Sequence, residues 1–109
     1  MTLREPRMTL ATQLVLGALL ADPTGDHYGL ELGGAAGLPS GTVHPILARL
    51  EGLGWLESSW EDIDPRVEGR PARRYYRLSA AGADSARAAL ARVPRRHLVT
   101  TLRPAPSGH

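Results

Sequence analysis

Residues 38–57 read LPSGTVHPILARLEGLGWLE, and their reading decides the fold. Val43, Ile46, Leu47, Leu50 and Leu53 recur at intervals of three and four, the spacing of one helix face. Pro45 stands near the front and Gly52 and Gly54 close the stretch. Proline fits the first turn of a helix, where backbone N–H groups lack intrahelical partners. Pro45 therefore predicts a start near Thr42, or a tightened first turn from Ser40, with Ser40 or Thr42 as N-cap. Gly54 suits the left-handed position beyond a helix end. The result is a helix with a small polar start, an apolar underside and a tryptophan-led strand behind it.

Upstream, Gly37-Leu38-Pro39 reads as a tight turn. Before it, His27 to about Ala36 is expected to form a short helix with Asp26 as N-cap and Leu30 and Leu32 as anchors. Gly33 and Gly34 each weaken it by about 1 kcal/mol relative to alanine. The turn residues Asp22 to Asp26 separate it from a first helix over Thr9–Ala21. There Leu10, Leu14 and Ala18 make a stripe that Val15, Leu16, Leu19 and Leu20 widen. So wide a surface predicts burial on two sides, one of them against a partner chain. Arg4 and Arg7 before this run imitate a signal peptide. Thr12 and Gln13 interrupt it, however, no A-x-A site follows, and it is too short to span a bilayer. A core helix in a cytoplasmic protein, without a membrane partner, is the expectation.

Downstream, Trp55 to Asp62 has strand character, with Leu56 and Trp60 on one side. Ala72 to Leu78 is a second strand, with Tyr76 and Leu78 facing the core and Arg73, Tyr75 and Arg77 facing away. The two form a hairpin with a long loop tip over 63–71. Ser79 caps a helix from Ala80 to about Val93, with Ala83, Ala86 or Arg87, and Leu90 along one face, and Pro94 ends it. Residues 1–93 are thus expected to form one domain. Residues 94–109, with Pro104, Pro106 and Gly108, form a fraying tail. Three helices, a hairpin and a helix make a mainly α chain with a two-stranded β-wing: a winged helix-turn-helix in which the first and last helices contribute to dimerisation.

Composition narrows the chemistry. A chain of 109 residues with 42% hydrophobic content is a single globular domain by ordinary priors. The lack of cysteine excludes disulfides, thiol catalysis and cysteine zinc sites. All 13 basic residues are arginine, and the net charge of +2 hides an asymmetry. From Arg70 onward there are nine arginines and one acid, Asp84, whereas residues 1–69 hold four arginines and ten acids. Such grouping suits a polyanionic partner and equally suits a solvated surface, and charge alone does not decide between them. His27, His44, His97 and His109 show no metal-ligand spacing, and GGAAG at 33–37 is no phosphate loop, since no lysine follows and no strand precedes it. Glu57, Glu61, Asp62, Asp64 and Glu68 read as a solvated wing face without calcium-loop spacing. No catalysis, cofactor or metal is expected.

Three blocks carry a family resemblance: YGLEL at 28–32, GTVHPILARLEGLGWLE at 41–57 and GRPARRYYRLSAAG at 69–82. In this order and spacing they resemble the PadR-like bacterial transcriptional regulators. The resemblance implies a cytoplasmic homodimer that binds an inverted-repeat operator in double-stranded DNA, usually as a repressor. It also implies that the helix after the wing supplies much of the dimer contact. The chain has His44 where the family usually has a tyrosine facing the DNA backbone; histidine also donates to a phosphate, more strongly when protonated. Many members carry a long C-terminal helical domain, and this chain resembles the short group. A small-molecule effector, whose identity stays unknown, would then be confined to the dimer interface.

Candidate DNA-binding residues follow. Ser40, Thr42, His44 and Arg49 lie on the recognition helix, and Arg70, Arg73 and Arg74 lie at or beside the wing tip. Arg49 is read two ways, as a DNA contact or as a surface partner of Glu51. Arg77 is read as structural, and Trp55, Trp60, Tyr75 and Tyr76 as packing residues. The rival reading is a winged-helix protein-interaction adaptor, which the few cations on the recognition helix would suit.

Overall fold

The computed structural model describes residues 3–94, and the expectation for the tail beyond them lies outside the described residues. Helix α1 (Leu10–Leu20) opens at Thr9, whose hydroxyl accepts from the Thr12 N–H. Val15, Leu16 and Leu19 are fully buried and hold α1 to the core. Leu10, at the front of the predicted stripe, is 53% exposed.

The expected second helix is shorter than its sequence suggests. His27–Tyr28 form a short strand, β1, and helix α2 spans Gly29–Ala36. Asp26 does not cap it: its carboxylate pairs with Arg77 at 3.1 Å, and Tyr28 occupies the cap position without a side-chain hydrogen bond. His27 is buried, with Nε2 2.9 Å from the Asp22 carbonyl and Nδ1 3.4 Å from Glu31. The loss of two residues from the front of the helix follows from strand pairing, which propensity along the chain does not register. At the other end Gly37, with φ 71°, terminates α2, and the Leu38 N–H returns to the Gly33 carbonyl at 2.9 Å. A Cβ at Gly33 would stand 2.8 Å from the Leu38 carbonyl oxygen, so this glycine sets how closely the turn folds back.

The recognition helix, α3, runs Ser40–Gly52. Pro39 occupies its N-cap position, and neither Ser40 nor Thr42 acts as a side-chain cap. The first turn is tightened: the Pro39 carbonyl accepts from both Thr42 (3.0 Å) and Val43 (3.2 Å). Pro45 therefore lies in the second turn, where its ring nitrogen cannot donate to the Gly41 carbonyl. Gly41 itself is exposed. Val43, Leu47 and Leu50 are fully buried, as the spacing predicts. Gly54, with φ 82°, redirects the chain into Trp55, which is fully buried.

Strand β2 (Leu56–Trp60) pairs antiparallel with β3 (Arg74–Leu78), from Leu56 opposite Leu78 to Trp60 opposite Arg74. β1 pairs with the other edge of β3, His27 opposite Tyr76, so the expected hairpin becomes a three-stranded sheet in the order β1-β3-β2. The loop tip contains a single turn of helix, α4 (Pro65–Glu68), capped by Asp64. Tyr76 and Leu78 face the core as expected. Trp60 does not: it is 64% exposed, because the sheet outruns the core at its wing end. Helix α5 (Ala80–Ala91) starts at the predicted cap, Ser79, whose hydroxyl accepts from the Gly82 N–H at 2.9 Å. A Cβ at Gly82 would collide with the Trp55 carbonyl, so α5 lies hard against the start of the wing. Ala86 and Ala89 complete the core. The architecture is a winged helix-turn-helix. No helix among the described residues is long and apolar enough to cross a membrane.

Candidate nucleic-acid interface

The apolar underside of α3 leaves Ser40, Gly41, His44, Pro45, Ala48 and Arg49 on the exposed side, with Thr42 half-buried. Residues 40–50 contain no acid. Glu51, the first acid of the helix, is engaged from the wing, where Arg74 approaches it at 3.5 Å and the Ser58 hydroxyl donates to it. The sequence left Glu51 as an alternative partner for Arg49; the structure gives it to Arg74.

His44 lies against α2. A Cβ at Gly29 would come within 2.6 Å of the His44 Cε1, so the glycine makes room for the ring. Beside it, the Arg73 guanidinium stacks 4.5 Å from the centre of the Tyr28 ring, and Tyr28 meets Tyr75 edge to face at 5.8 Å. The start of α2, the front of α3 and the flank of β3 are thereby brought together. Tyr28 belongs to this surface and was missed as a site residue. The signal lay in its aromatic ring immediately before a helix, but its partners, Arg73 and Tyr75, come from more than forty positions away.

The other wing arginines are held by acids and aromatics. Arg70 forms a two-pronged pair with Glu61, at 2.6 and 2.9 Å, and also donates to the Pro71 carbonyl. Glu61 further accepts from the Arg73 backbone N–H at 3.2 Å. The hydrogen bond from Arg70, followed by that N–H and the two positive charges, outweighs desolvation and lowers the Glu61 pKa to about 2. The same bond raises the Arg70 pKa. Arg74 stacks 5.1 Å from the centre of Trp60 and donates to the Ser58 hydroxyl at 2.7 Å. Arg70, Arg73 and Arg74 thus each have a fixed position, and the first and last have their charge matched. Arg77 pairs with Asp26, on the side of β3 opposite the core. Among the described residues no group of three or more His, Asp or Glu side chains could hold a metal ion.

The profile of the transcriptional regulator PadR-like family matches residues 22–88. No functionally curated protein matches. Among solved structures, apo MarR from E. coli superposes with a TM-score of 0.63 at 20% identity, over 87% of this chain and 64% of MarR. The PcaV transcriptional regulator of Streptomyces coelicolor, in complex with its natural ligand, gives 0.64 at 26% identity, over 97% of this chain and 68% of PcaV. BpsR of Bordetella bronchiseptica, whose DNA binding is regulated by 6-hydroxynicotinic acid, gives 0.64 at 20% identity, over 96% of this chain and 74% of BpsR. The chain spans about two-thirds of the length of these proteins, and 64% in the case of MarR. This family and this fold are those of transcription regulators, not of enzymes.

Proposed function

The chain belongs to the PadR-like family of transcriptional regulators, and on that premise we propose that it is a cytoplasmic repressor that binds an inverted-repeat site in double-stranded DNA as a homodimer. The observation that carries this reading is the front of α3. It is small, polar and free of acid over residues 40–50, and the helix's own carboxylate, Glu51, is turned to the wing. Such a face approaches phosphates and base edges without electrostatic penalty. Ser40, Thr42, His44 and Arg49 are the helix contacts in this reading, and Arg70, Arg73 and Arg74 the wing contacts. Residues 1–93 are the DNA-binding and dimerisation domain.

The dimer is supported by a groove of about 740 Å³ between α1, α2 and α5, walled by Leu14, Ala18, Leu20, Ala35 and Leu90. The Gln13 side chain also borders it, and its Oε1 is buried without a hydrogen-bond partner among the described residues. A second copy seated there would cover apolar area on α1 that the monomer leaves open. Small-molecule control of the kind named for BpsR would act through the same groove.

The test is binding to a fluorescent duplex carrying the DNA upstream of the protein's own gene, across a salt series. Affinity is expected to fall linearly in log–log form, with about one unit of slope per phosphate contact. His44→Ala is expected to weaken binding without changing the circular dichroism. Light scattering on the free protein is expected to give twice the 11.7 kDa chain mass. A protein that shows no salt-dependent duplex binding is the adaptor, and a monomer rules out the inverted repeat.

A further inference from the structure

Residues 3–9 precede α1 as a strap without regular secondary structure. Three contacts hold it. The Arg4 carbonyl accepts from the Trp55 indole N–H at 2.9 Å, the Met8 carbonyl accepts from the Gln13 amide at 2.9 Å, and Glu5 pairs with Arg92. Trp55 and Gln13 are both buried, so the path of the strap is fixed by the core on either side of Arg7. Arg7 is exposed and, with Arg49 of α3, borders a groove of about 360 Å³ between the strap and the recognition helix. Pro6, Pro45, Ile46 and two threonines make up most of the remaining wall, and no acid lines it.

The contrast with other arginines is what gives the pair meaning. Arg70, Arg74, Arg77, Arg87 and Arg92 each face a carboxylate. Among the described residues Arg4, Arg7, Arg49, Arg66 and Arg73 pair with none, and of these Arg7 and Arg49 border the same groove. Two guanidinium groups beside one groove repel each other, and an anion between them would relieve the repulsion with planar, multiply donating partners. The groove also runs along the helix whose exposed face is free of acid.

The geometry points to Arg7 and Arg49 as a two-arginine clamp for a phosphate oxyanion of the DNA backbone, held by the N-terminal strap at the flank of the recognition helix. This rests on the DNA-binding reading above and adds to it a contact from outside the helix-turn-helix and wing. Its role is positioning by charge: it weakens every duplex alike when lost and carries no base specificity.

The experiment compares Arg7→Ala, Arg7→Lys, the double variant Arg7→Ala/Arg49→Ala and, as a control for net charge, Arg77→Ala, on the full chain. The probes are the fluorescent upstream duplex, a mixed-sequence duplex and sodium phosphate. Arg7→Ala is expected to lower the log–log salt slope by about one unit and the double variant by about two, equally on both duplexes. Arg7→Lys is expected to keep the slope, Arg77→Ala to leave it unchanged, and thermal melts to show all four folded. A wild-type slope in Arg7→Ala overturns the clamp, as does an equal loss in Arg77→Ala, which would mean net charge alone. Unchanged duplex binding together with loss of a phosphate-induced rise in melting temperature would make the groove a free-anion site and overturn the DNA assignment. Wild-type protein that binds neither duplex overturns the parent reading and this one together, whereas wild-type binding with an unaltered Arg7→Ala overturns this one alone.

Discussion

The recognition helix and the wing are held in place by opposite means. Val43, Leu47 and Leu50 anchor α3 through fully buried apolar side chains, and its outer face carries little charge. The wing reaches beyond the core. Its tip exposes Val67 and Trp60, at 77% and 64%, and its shape is set by Arg70 on Glu61 and Arg74 on Trp60, Ser58 and Glu51. Burial fixes the position of the helix at large energetic gain, whereas exposed ion pairs contribute little stability and mainly define geometry. The chain thus sets a helix anchored by burial beside a wing shaped by surface pairs. The arginines that look most available in the sequence, those in GRPARR, are the ones most engaged by the protein itself.

The largest expected effect tests the anchored side of this contrast. Leu47→Ala empties a fully buried site and is expected to cost about 2–5 kcal/mol of stability, read as a drop in the denaturation midpoint at constant slope. Val67→Ala at the wing tip is expected to stay within about 0.5 kcal/mol. Comparable losses from both would mean that the wing tip is packed against something, such as a partner chain.

A smaller effect is expected where the two regions meet α2. In Gly29→Ala the new methyl group would stand 2.6 Å from the His44 ring, which can swing away because it is the far end of a side chain. The fold is therefore expected to survive while DNA affinity falls, by about 1–3 kcal/mol if His44 makes a directed contact. Adding His44→Ala to Gly29→Ala is then expected to cost little more, since the contact is already lost. Full affinity in Gly29→Ala, measured on the same duplex, would show that the observed ring position is not used.

What the sequence made legible follows the same division. The faces of α3 and α5 were readable because burial repeats with the helix period, and Ser79 and Gly54 were readable because caps and left-handed turns constrain residue type locally. On α1 the side turned to the core is that of Val15, Leu16 and Leu19, and the Leu10, Leu14 and Ala18 stripe is the more open one. The short β1 was not readable: His27 and Tyr28 pair with Tyr76 and Tyr75, and no local pattern announces a two-residue strand. Pro45 in the second turn of α3 was half readable, since the proline demanded a tight start but tertiary packing decided where the start fell. In the candidate interface, the front of α3 followed from periodicity. The partners of Arg70, Arg73 and Arg74 did not, because each depends on the register of the hairpin. Arg7 was invisible as a site residue because only the fold brings the strap beside Arg49.

The smallest effect concerns the ion pair that shapes the wing. Glu61 has its pKa lowered from 4.5 to about 2, chiefly by the Arg70 hydrogen bond. A carboxylate held lower in the folded state than in the unfolded state favours folding while it is ionised. That contribution is complete above about pH 4.5, diminishes as pH falls below it, and is lost as pH passes through about 2. Carbon-detected NMR of the Glu61 carboxyl is therefore expected to show a midpoint near 2, and Arg70→Ala to return it towards 4.5. The return should be incomplete, because the Arg73 backbone N–H still donates to the same carboxylate. Glu61→Gln keeps a hydrogen-bond acceptor and removes the charge, so it should loosen the wing tip and abolish the acid-range change while leaving the α3 amides protected from exchange. A midpoint near 4.5 in the wild type would mean that the Arg70–Glu61 pair does not form in solution and that something other than this pair shapes the wing tip.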